Sequence, residues 1–464
     1  MLPNDPIFKI IQDAAEELHQ PVYVVGGYVR DLFLDRRQNK DIDFVTVGSG
    51  IELAKKVAQK LEVGVNIFKN FGTAMLKYNG IELEFVGARK ESYRENSRKP
   101  IVENGTLEDD LTRRDFTINA LAINLKTREL VDVFEGKTHL EQKILKTPTD
   151  PNITFSDDPL RMMRAARFAA QLEFEIDKSV LEAMQKNAER IHIVSMERII
   201  VELNKIIEAK KPSIGFKILF NTGILHHIFP ELVRLQGVEK VENVAHKDNF
   251  YHTLQVLDNV AQVSDNLWLR WVALLHDIAK PDTKKFIERQ GWTFHGHEEL
   301  GARKVPKIFK RLKLPLDERM HYVQKLVRLH ARPIALVEEN VTDSAVRRLL
   351  FDAGNDIDDL ITFCKCDITT RDKRKLEQYL KNFEYVEKRL AEVEEADKLR
   401  NWQPPVSGEI IMQTFGLKPC PQIGIIKNAI REAILEGTIK NDYQEAYNFM
   451  IAFAERELNL KPNA

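Results

Sequence analysis

Two aspartates stand two positions apart in the run DIDF, as Asp41 and Asp43. On a β-strand both side chains project from one face, while Ile42 and Phe44 project from the other face into a core. Neighbouring carboxylates repel each other unless a cation lies between them. Because Mg²⁺ prefers oxygen ligands and accepts substrate phosphates in its coordination shell, the spacing indicates a magnesium site for phosphate chemistry.

A third carboxylate comes from the later run IELEFV, in which Glu82 and Glu84 share one strand face. Three converging carboxylates can hold two ions, which activate an attacking hydroxyl and stabilise a departing pyrophosphate. An isolated D-x-D pair is common on solvated strand faces, so the pair gains meaning only together with its neighbours.

A glycine pair, Gly26-Gly27, separates the β-branched run PVYVV from a helical pattern that continues to Leu34. Glycine lets the backbone approach a ligand closely, and the start of a helix presents free N–H groups to an anion. Arg30 lies one helical turn later and can add its charge to the same phosphate. A lone glycine pair is usually a turn, but its combination with Arg30 and the carboxylates favours a nucleotide site.

The elements that must position these residues are short strands and helices in the first part of the chain. The strand-like runs are PVYVV, DIDFVTV, IELEFV, LAINL and ELVDVF. Between them, residues 89–110 are polar and rich in both charges, which is typical of a mobile loop. From about Asp157 onward helical spacing dominates, including a charged run over residues 371–400. The pattern predicts an α+β head followed by an all-helical body.

The length and composition of the chain limit the number of domains and the classes of function that it can have. A chain of 464 residues suggests about three domains. Lys and Arg total 69 and Asp and Glu total 70, so the formal net charge is −1. This balance argues against a protein that coats nucleic acid indiscriminately, although it allows a local basic track. We find no targeting or membrane segment, which predicts a cytoplasmic protein with no membrane partner.

Three segments together resemble a known family. GGYVRDLFL…DID is similar to the signature of polymerase β-type nucleotidyltransferases, specifically the bacterial-type (class II) tRNA CCA-adding enzymes and their poly(A) polymerase relatives. RRDFTINALAI (113–123) and DDPLRMMRAARFAAQLEF (157–174) resemble the next two motifs of that family, in the same order. The resemblance implies a nucleotidyltransferase head, built from a small mixed sheet with helices.

The resemblance also implies roles for individual residues. Asp41 and Asp43 would hold the catalytic Mg²⁺ ions, with Glu84 as the third catalytic carboxylate because it lies five positions before Arg89. A larger set would bind the incoming nucleotide: Gly26, Gly27, Arg30, Arg114, Asp115, Asn119, Asp158, Arg161, Arg164 and Arg167. Arg164 and Arg167 form a basic stripe that could meet triphosphate or the primer backbone.

The DDPLR segment admits two interpretations. On spacing alone, Asp158 is a helix N-cap with proline at the first helical position. Asp158 and Arg161 also share a helix face, and together they can mimic the pairing edge of a base. The second interpretation resembles the family's E-D-x-x-R template, which selects CTP and ATP. Here Asp157 replaces the glutamate, which shortens the side chain that would steady Arg161.

Histidines and aspartates on separate helices of the body suggest a second site. His252, His276, Asp277 and Asp367 could converge on a divalent ion, although each one singly is better interpreted as a structural residue. Collectively they resemble the H…HD…D ligands of the HD domain, with His297 and His330 as supplements. In one branch of the family, such a domain acts on phosphate esters at tRNA ends. The identity of the metal stays open.

The resemblance implies four parts. They are a head over residues 1–145, a helical neck with the nucleotide-selecting motif over 146–236, an HD domain over 237–385 and a helical, tRNA-binding tail over 386–464. The predicted activity is addition or repair of the 3′-terminal CCA of tRNA from CTP and ATP, with release of pyrophosphate.

Alternatives remain open. One is a poly(A) polymerase, whose usual basic G-R-R-F-like stretch is replaced here by NIFKNFGTAML. Another is an HD phosphohydrolase with an RNA-binding head. Addition of the full CCA and addition of A alone both fit the sequence.

Overall fold

The structure, a computed structural model, describes residues 2–3, 5–36, 41–69, 72–94, 97–237, 240–241, 244–245, 248–289, 291–338, 342–370, 372–397 and 402–463. The chain divides into two compact units, Met1–Val233 and Arg234–Ala464. Within the described residues, no helix is both long enough and apolar enough to cross a bilayer.

The first unit is built on a mixed seven-stranded sheet. Its strands are β1 (Val22–Val25), β2 (Asp41–Thr46), β3 (Val65–Phe68), β4 (Thr73–Tyr78), β5 (Ile81–Gly87), β8 (Ala122–Asn124) and β9 (Leu130–Val131), in the spatial order β3-β4-β5-β2-β1-β8-β9. The pair β2–β5 is parallel, whereas β1 is antiparallel to both of its neighbours. The five strand-like runs of the sequence all lie in this sheet, and ELVDVF is reduced to two paired residues.

One prediction for the head is wrong. Residues 89–94 and 97–104 are not a loop, because β6 (Arg89–Arg94) and β7 (Ser97–Asn104) form an antiparallel ribbon, and a helix begins at Leu107. A two-stranded ribbon is held by backbone hydrogen bonds and tolerates polar residues on both faces. The apolar alternation by which we recognised strands therefore gives no signal there.

Helices cover the sheet and continue as the neck. In chain order they are α1 (Pro6–Glu17), α2 (Gly27–Phe33), α3 (Gly50–Leu61), α4 (Leu107–Thr112), α5 (Gly136–Gln142), α6 (Pro151–Asp157), α7 (Leu160–Leu172), α8 (Lys178–Asn187), α9 (Met196–Ile207), α10 (Ser213–Asn221), α11 (Ile224–Ile228) and α12 (Pro230–Val233). A 3₁₀ turn covers Thr117–Asn119, and β10 (Ile144–Leu145) pairs with β11 (Glu175–Ile176). The stacked rings of Phe44 and Phe85 lie under the carboxylate-bearing face of β2 and β5.

Among its described residues, the second unit consists of helices and two short ribbons. The ribbons are β12 (Lys240–Val241) with β13 (Val244–Ala245), and β14 (Lys285–Ile287) with β15 (Gly291–Thr293). Its helices are α13 (Asn249–Val263), α14 (Leu267–Leu275), α15 (Lys280–Thr283), α16 (His297–Arg311), α17 (Glu318–Leu329), α18 (Ala331–Glu338), α19 (Asp343–Ala353), α20 (Ile357–Asp367), α21 (Lys373–Asp397), α22 (Gly408–Phe415), α23 (Pro421–Glu436) and α24 (Tyr443–Leu458). The α+β class predicted from the sequence is confirmed.

Candidate active site and candidate metal centre

The parallel pairing of β2 and β5 sets the geometry of the head carboxylates. Asp41 lies opposite Glu82, and Asp43 lies opposite Glu84, so all four carboxylates share one face. Glu82 forms an ion pair of 2.5 Å with Lys77. Burial, and next the charge of Asp43, raises the pKa of Glu84. Glu84 is therefore the member of the glutamate pair that is coupled electrostatically to Asp43, as the sequence analysis prefers.

Asp43 is the more enclosed aspartate. Burial raises its pKa and Asp41 raises it further, while the nearby Arg114 lowers it. Carboxylates that share one strand face and repel one another are a donor set for hard divalent cations. The residues Asp41, Asp43 and Glu84 thus fit the Mg²⁺ ions that the sequence predicts.

Gly26 brings the backbone against this carboxylate. Its φ of +74° is a conformation that favours glycine. A Cβ at this position would lie 3.1 Å from Arg114 Nη1 and 3.5 Å from Asp43 Oδ2. The glycine therefore keeps open the space where α2 begins, between the carboxylate and the guanidinium.

A cavity of about 1020 Å³ opens at this place. Its walls include Asp43 and the whole predicted nucleotide-binding set: Gly26, Gly27, Arg30, Arg114, Asp115, Asn119, Asp158, Arg161, Arg164 and Arg167. Asp41 and Glu84 lie outside this lining, on the same strand pair as Asp43. The sequence motifs, which are dispersed over more than 140 residues, thus converge on one cleft.

Asp115 connects the motif RRDFTINA to the neck. Its carboxylate accepts hydrogen bonds from Arg164 Nε (2.7 Å) and Asn119 Nδ2 (3.1 Å). Asn119 in turn accepts from Arg30 Nη1 at 2.9 Å, and Arg30 also pairs with Asp31. Burial opposes ionisation of Asp115, but Arg164 and Asn119 lower its pKa to about 2. These polar side chains of the cleft wall are therefore held in fixed positions.

The predicted basic stripe of α7 is largely neutralised within the protein. Arg164 pairs with Asp115 at 2.6 Å, and Arg167 pairs with Glu202 of α9 at 2.8 Å. Burial, and next the charge of Arg164, lowers the pKa of Arg167 to about 10. Because Glu202 lies on α9, its ion pair with Arg167 joins two helices of the neck.

Phe168 is a residue that the sequence analysis missed. The guanidinium carbons of Arg30, Arg164 and Arg167 lie 5.2, 5.4 and 4.3 Å from the centre of its ring. These are cation–π distances. One aromatic residue in an apolar run gives no sequence signal of this kind, since the three arginines meet only after folding.

Asp158 caps the helix and also faces the cleft. Its Oδ1 accepts the Leu160 N–H at 3.1 Å, and α7 begins at Leu160. The predicted start is thus correct to within one residue. Arg161 Nη2 donates to the carbonyl oxygen of Arg113 at 2.6 Å, so the head backbone helps to orient this guanidinium. The two side chains of the suggested base-reading pair lie in the same cavity wall.

In the second unit, the predicted histidines and aspartates come together. His252 Nε2 lies 2.9 Å from Asp367 Oδ1, and His276 Nε2 lies 3.2 Å from Asp277 Oδ2. Within the described residues, the buried atoms His276 Nε2 and Asp367 Oδ1 make no well-aligned hydrogen bond. Such orphaned polar atoms in a buried carboxylate–imidazole cluster fit a divalent metal ion.

Hydrogen bonds outside the cluster orient its imidazoles. Nδ1 of His276, His297 and His330 each lies 2.7 to 2.9 Å from the carbonyl oxygen three residues earlier. Nδ1 of His252 lies 3.0 Å from the hydroxyl of Thr369. A carbonyl can only accept, so in the neutral rings Nδ1 carries the hydrogen and Nε2 keeps its lone pair for a ligand. Thr369, which lies two positions after Asp367, carries no sequence signal for this role.

Asp277 is shared by two groups of potential ligands. Its Oδ2 faces His276 and His252, and its Oδ1 faces His297 Nε2 at 3.4 Å and His330 Nε2 at 3.9 Å. Each group offers atoms that lie within 4.8 Å of one another. Lys280 also donates to Asp277 Oδ2 at 2.7 Å.

The carboxylates of this cluster favour a positive charge beside them. Burial lowers the pKa of His276, but Asp277 and Asp367 override it and raise the pKa to about 10. Burial, and next His276, lowers the pKa of His330 to about 4, which keeps that ring neutral at pH 7. In the metal-free chain a proton on His276 therefore supplies charge that a cation can replace.

Three family models match the chain. Residues 22–146 match the poly A polymerase head domain, residues 173–235 match the probable RNA and SrmB-binding site of polymerase A, and residues 249–353 match the HD domain. Nucleotidyltransferase heads and HD domains generally use divalent metals.

Curated relatives cover most of the chain. The A-adding tRNA nucleotidyltransferase of Deinococcus radiodurans is 32% identical over 360 residues, which are 75% of this chain and 80% of that protein. The CCA-adding enzyme of Streptococcus pyogenes is 28% identical over 442 residues, which are 94% of this chain and 93% of that enzyme.

Solved structures share the fold. The CCA-adding enzyme of Bacillus stearothermophilus in complex with CTP aligns over 98% of this chain and all of that chain, with a TM-score of 0.69 and 21% identity. The Thermotoga maritima CCA-adding enzyme complexed with tRNA aligns over 97% of this chain and 95% of that chain, with a TM-score of 0.60 and 20% identity.

Proposed function

Because this chain belongs to the tRNA nucleotidyltransferase family, we propose that it adds or repairs the 3′-terminal CCA of tRNA from CTP and ATP. The primer's terminal hydroxyl attacks the α-phosphate of the nucleotide, and pyrophosphate leaves. This reaction takes place in the cytoplasm, where tRNA is matured.

The proposed domain organisation of the protein has four parts: the head (1–145), the neck (146–236), the HD domain (237–385) and the tail (386–464). The tail binds tRNA.

The cleft between head and neck carries the proposal. It combines the half-buried carboxylate of Asp43 with arginines that complement phosphate charge. Asp41, Asp43 and Glu84 would hold Mg²⁺, which supplies charge stabilisation at the reacting phosphate when bound. A site that only binds RNA has no need of three carboxylates on one strand face, and burial raises the pKa of two of them, Asp43 and Glu84.

The remaining residues of the cleft bind and select the nucleotide. Gly26, Gly27, Arg30 and Arg114 contact the triphosphate, while Asp115 and Asn119 fix the arginines and reach the ribose. Asp158 accepts from the exocyclic amine of cytosine or adenine, and Arg161 donates to a ring nitrogen or carbonyl. Both bases carry an amine where uracil and guanine carry a carbonyl, which accounts for selection of CTP and ATP.

A second candidate is the addition of A alone to tRNA that already ends in CC. The observation that favours it is the 32% identity with an A-adding enzyme over 80% of that protein. The two activities share the cleft and differ in the acceptor, so the geometry of the carboxylates supports both.

The deciding experiment incubates the purified protein with Mg²⁺, single nucleotides and three tRNA acceptors, ending before CCA, after C and after CC. Full CCA synthesis predicts C from CTP on the first two acceptors and one A from ATP on the third. Reaction of the third acceptor alone identifies the A-adding enzyme. A long A-tail on the first acceptor from ATP alone would instead identify a poly(A) polymerase and overturn the proposal.

For the second unit we propose a divalent-metal centre that hydrolyses phosphate esters at RNA ends. The supporting observation is the set of four imidazoles whose Nε2 atoms face Asp277 and Asp367. His252, His276 and Asp367 would hold one ion and His297 and His330 a second, with Asp277 between them. The metal would supply an activated water and neutralise the phosphate.

Metal content and hydrolysis test this centre separately. We expect mass spectrometry of the metals to find two Mn²⁺ per chain after loading, and one after His297→Ala. The matched control is His295→Ala, an exposed histidine two positions away. Cleavage of a 2′,3′-cyclic phosphate by the wild type should vanish in His276→Ala. Absence of that cleavage with Mg²⁺, Mn²⁺ and Ni²⁺ would remove the hydrolase proposal, and absence of bound metal would remove the centre.

A further inference from the structure

Helix α4 carries a buried carboxylate that none of the motifs described above includes. The helix contains Glu108, Asp109 and Asp110 in succession. Asp109 completes a capping box with Thr106 at the helix start, an ordinary structural use of an acidic residue. Asp110 differs, because its side chain is 0% exposed. A fully buried aspartate needs partners that compensate its charge.

Those partners are the two arginines that open the motif RRDFTINA. Asp110 Oδ1 accepts from Arg113 Nη2 at 2.6 Å and from Arg113 Nε at 3.0 Å. Its Oδ2 accepts from Arg114 Nη2 at 3.2 Å. Each carboxylate oxygen therefore orients a different guanidinium, and the two arginine side chains are only 20% and 17% exposed.

Both arginines line the nucleotide cleft, whereas Asp110 lies behind them and outside its lining. Arg114 Nη1 is the atom that a Cβ on Gly26 would approach to 3.1 Å, so this guanidinium lies against the glycine turn. The backbone of Arg113 accepts the hydrogen bond from Arg161. Asp110 thus lies behind the wall that joins the glycine turn to Arg161.

We propose that Asp110 is a positioning residue, which holds the Arg113 and Arg114 guanidiniums in the orientation that binds the triphosphate of the incoming nucleotide. This inference rests on the proposed function of the cleft. A long side chain that is already held in its bound orientation loses less conformational entropy when the ligand arrives. Without Asp110 the guanidiniums keep their charge but lose the carboxylate that fixes their orientation towards the cleft.

The effect of charge alone has the opposite sign. Neutralising Asp110 makes the wall more positive, and electrostatics by itself would then tighten the binding of an anion. A positioning role predicts weaker binding instead. The sign of the change in affinity therefore separates the two roles.

The test measures the dissociation constants of CTP and CMP for the full chain with Mg²⁺, in the wild type, Asp110→Asn and Asp109→Asn. We expect Asp110→Asn to weaken CTP binding about tenfold and to change CMP binding less than twofold, because CMP lacks the β- and γ-phosphates. Asp109→Asn removes the same charge from the same helix and should leave the ratio of the two constants unchanged. Unchanged or tighter CTP binding in Asp110→Asn would overturn the inference.

A second variant keeps the test decisive if Asp110→Asn does not fold. Asp110→Glu retains the charge and moves the carboxylate by one methylene, so a positioning role predicts at least threefold weaker CTP binding. Wild-type CTP affinity in a folded Asp110→Glu overturns the inference. If the wild type itself binds CTP no better than CMP, the proposed function of the cleft fails, which is distinguishable from failure of Asp110 alone.

Discussion

At the scale of the residue, the hydrogen bond from the Leu160 N–H to Asp158 would exist without any ligand. Substitution by asparagine separates the cap from base reading, because asparagine is as good an N-cap as aspartate but can also donate to a carbonyl. We expect Asp158→Asn to keep the wild-type unfolding midpoint and to raise kcat/KM for UTP relative to CTP at least tenfold. An unchanged UTP/CTP ratio would show that Asp158 is only a cap.

The Asp115 carboxylate makes the folding stability of the protein depend on pH. Its pKa in the folded chain is about 2, below the ordinary 3.8, so its ion pair stabilises the fold above pH 4 and is lost as the pH falls towards 2. The shift corresponds to roughly 2 kcal/mol. We therefore expect Asp115→Asn to lower the free energy of unfolding by roughly 2 kcal/mol at pH 7. At pH 3 we expect the decrease to be about half as large.

Circular dichroism is the appropriate measurement for Asp115, because all four tryptophans lie beyond residue 233 and their fluorescence reports on the second unit. A destabilisation by Asp115→Asn that is equal at pH 7 and pH 3 would contradict the role of the ion pair.

At the scale of the element, the register of β2 against β5 decides which glutamate joins the aspartates. We expect Glu84→Gln to slow nucleotide incorporation at least a hundredfold, because Glu84 lies opposite Asp43. Glu82→Gln, on the same strand face, removes only the exposed pair with Lys77 and should change incorporation less than twofold. Single-turnover incorporation of C measures both variants, and equal effects would contradict the assignment.

Some of the secondary-structure elements and side-chain contacts can be predicted from the sequence, and others cannot. Alternation of polar and apolar residues identifies β2 and β5, whereas β1 is identified by its β-branched residues. It misses the ribbon β6–β7, which does not depend on a buried face, and it cannot show that Arg164 and Arg167 meet carboxylates from distant segments. The convergence of His252, His276, Asp277 and Asp367 was predicted by resemblance, while the bonds that orient their rings appear only in the structure.

At the scale of the whole molecule, the proposed account assigns nucleotidyl transfer and ester hydrolysis to different units. We expect His276→Ala to abolish cleavage of the cyclic phosphate and to leave CCA addition within twofold of the wild type. The measurement runs both assays on one preparation. Equal loss of both activities would contradict this division.

The formal net charge of −1 can also be explained at the scale of the whole molecule. Several arginines of the cleft are paired with carboxylates inside the protein, so little basic charge remains to coat nucleic acid. This arrangement fits an enzyme that holds one tRNA end and releases it.

The central claim is that the carboxylates on β2 and β5 carry out nucleotidyl transfer to tRNA. Its most direct test is single-turnover transfer of labelled nucleotide to tRNA by Asp43→Asn, with the affinity for the same tRNA measured in parallel. The acceptors end before CCA or in CC, and they are paired with CTP or ATP. We predict that Asp43→Asn loses transfer at least a thousandfold and binds tRNA as the wild type does. Transfer at the wild-type rate by Asp43→Asn would contradict the account.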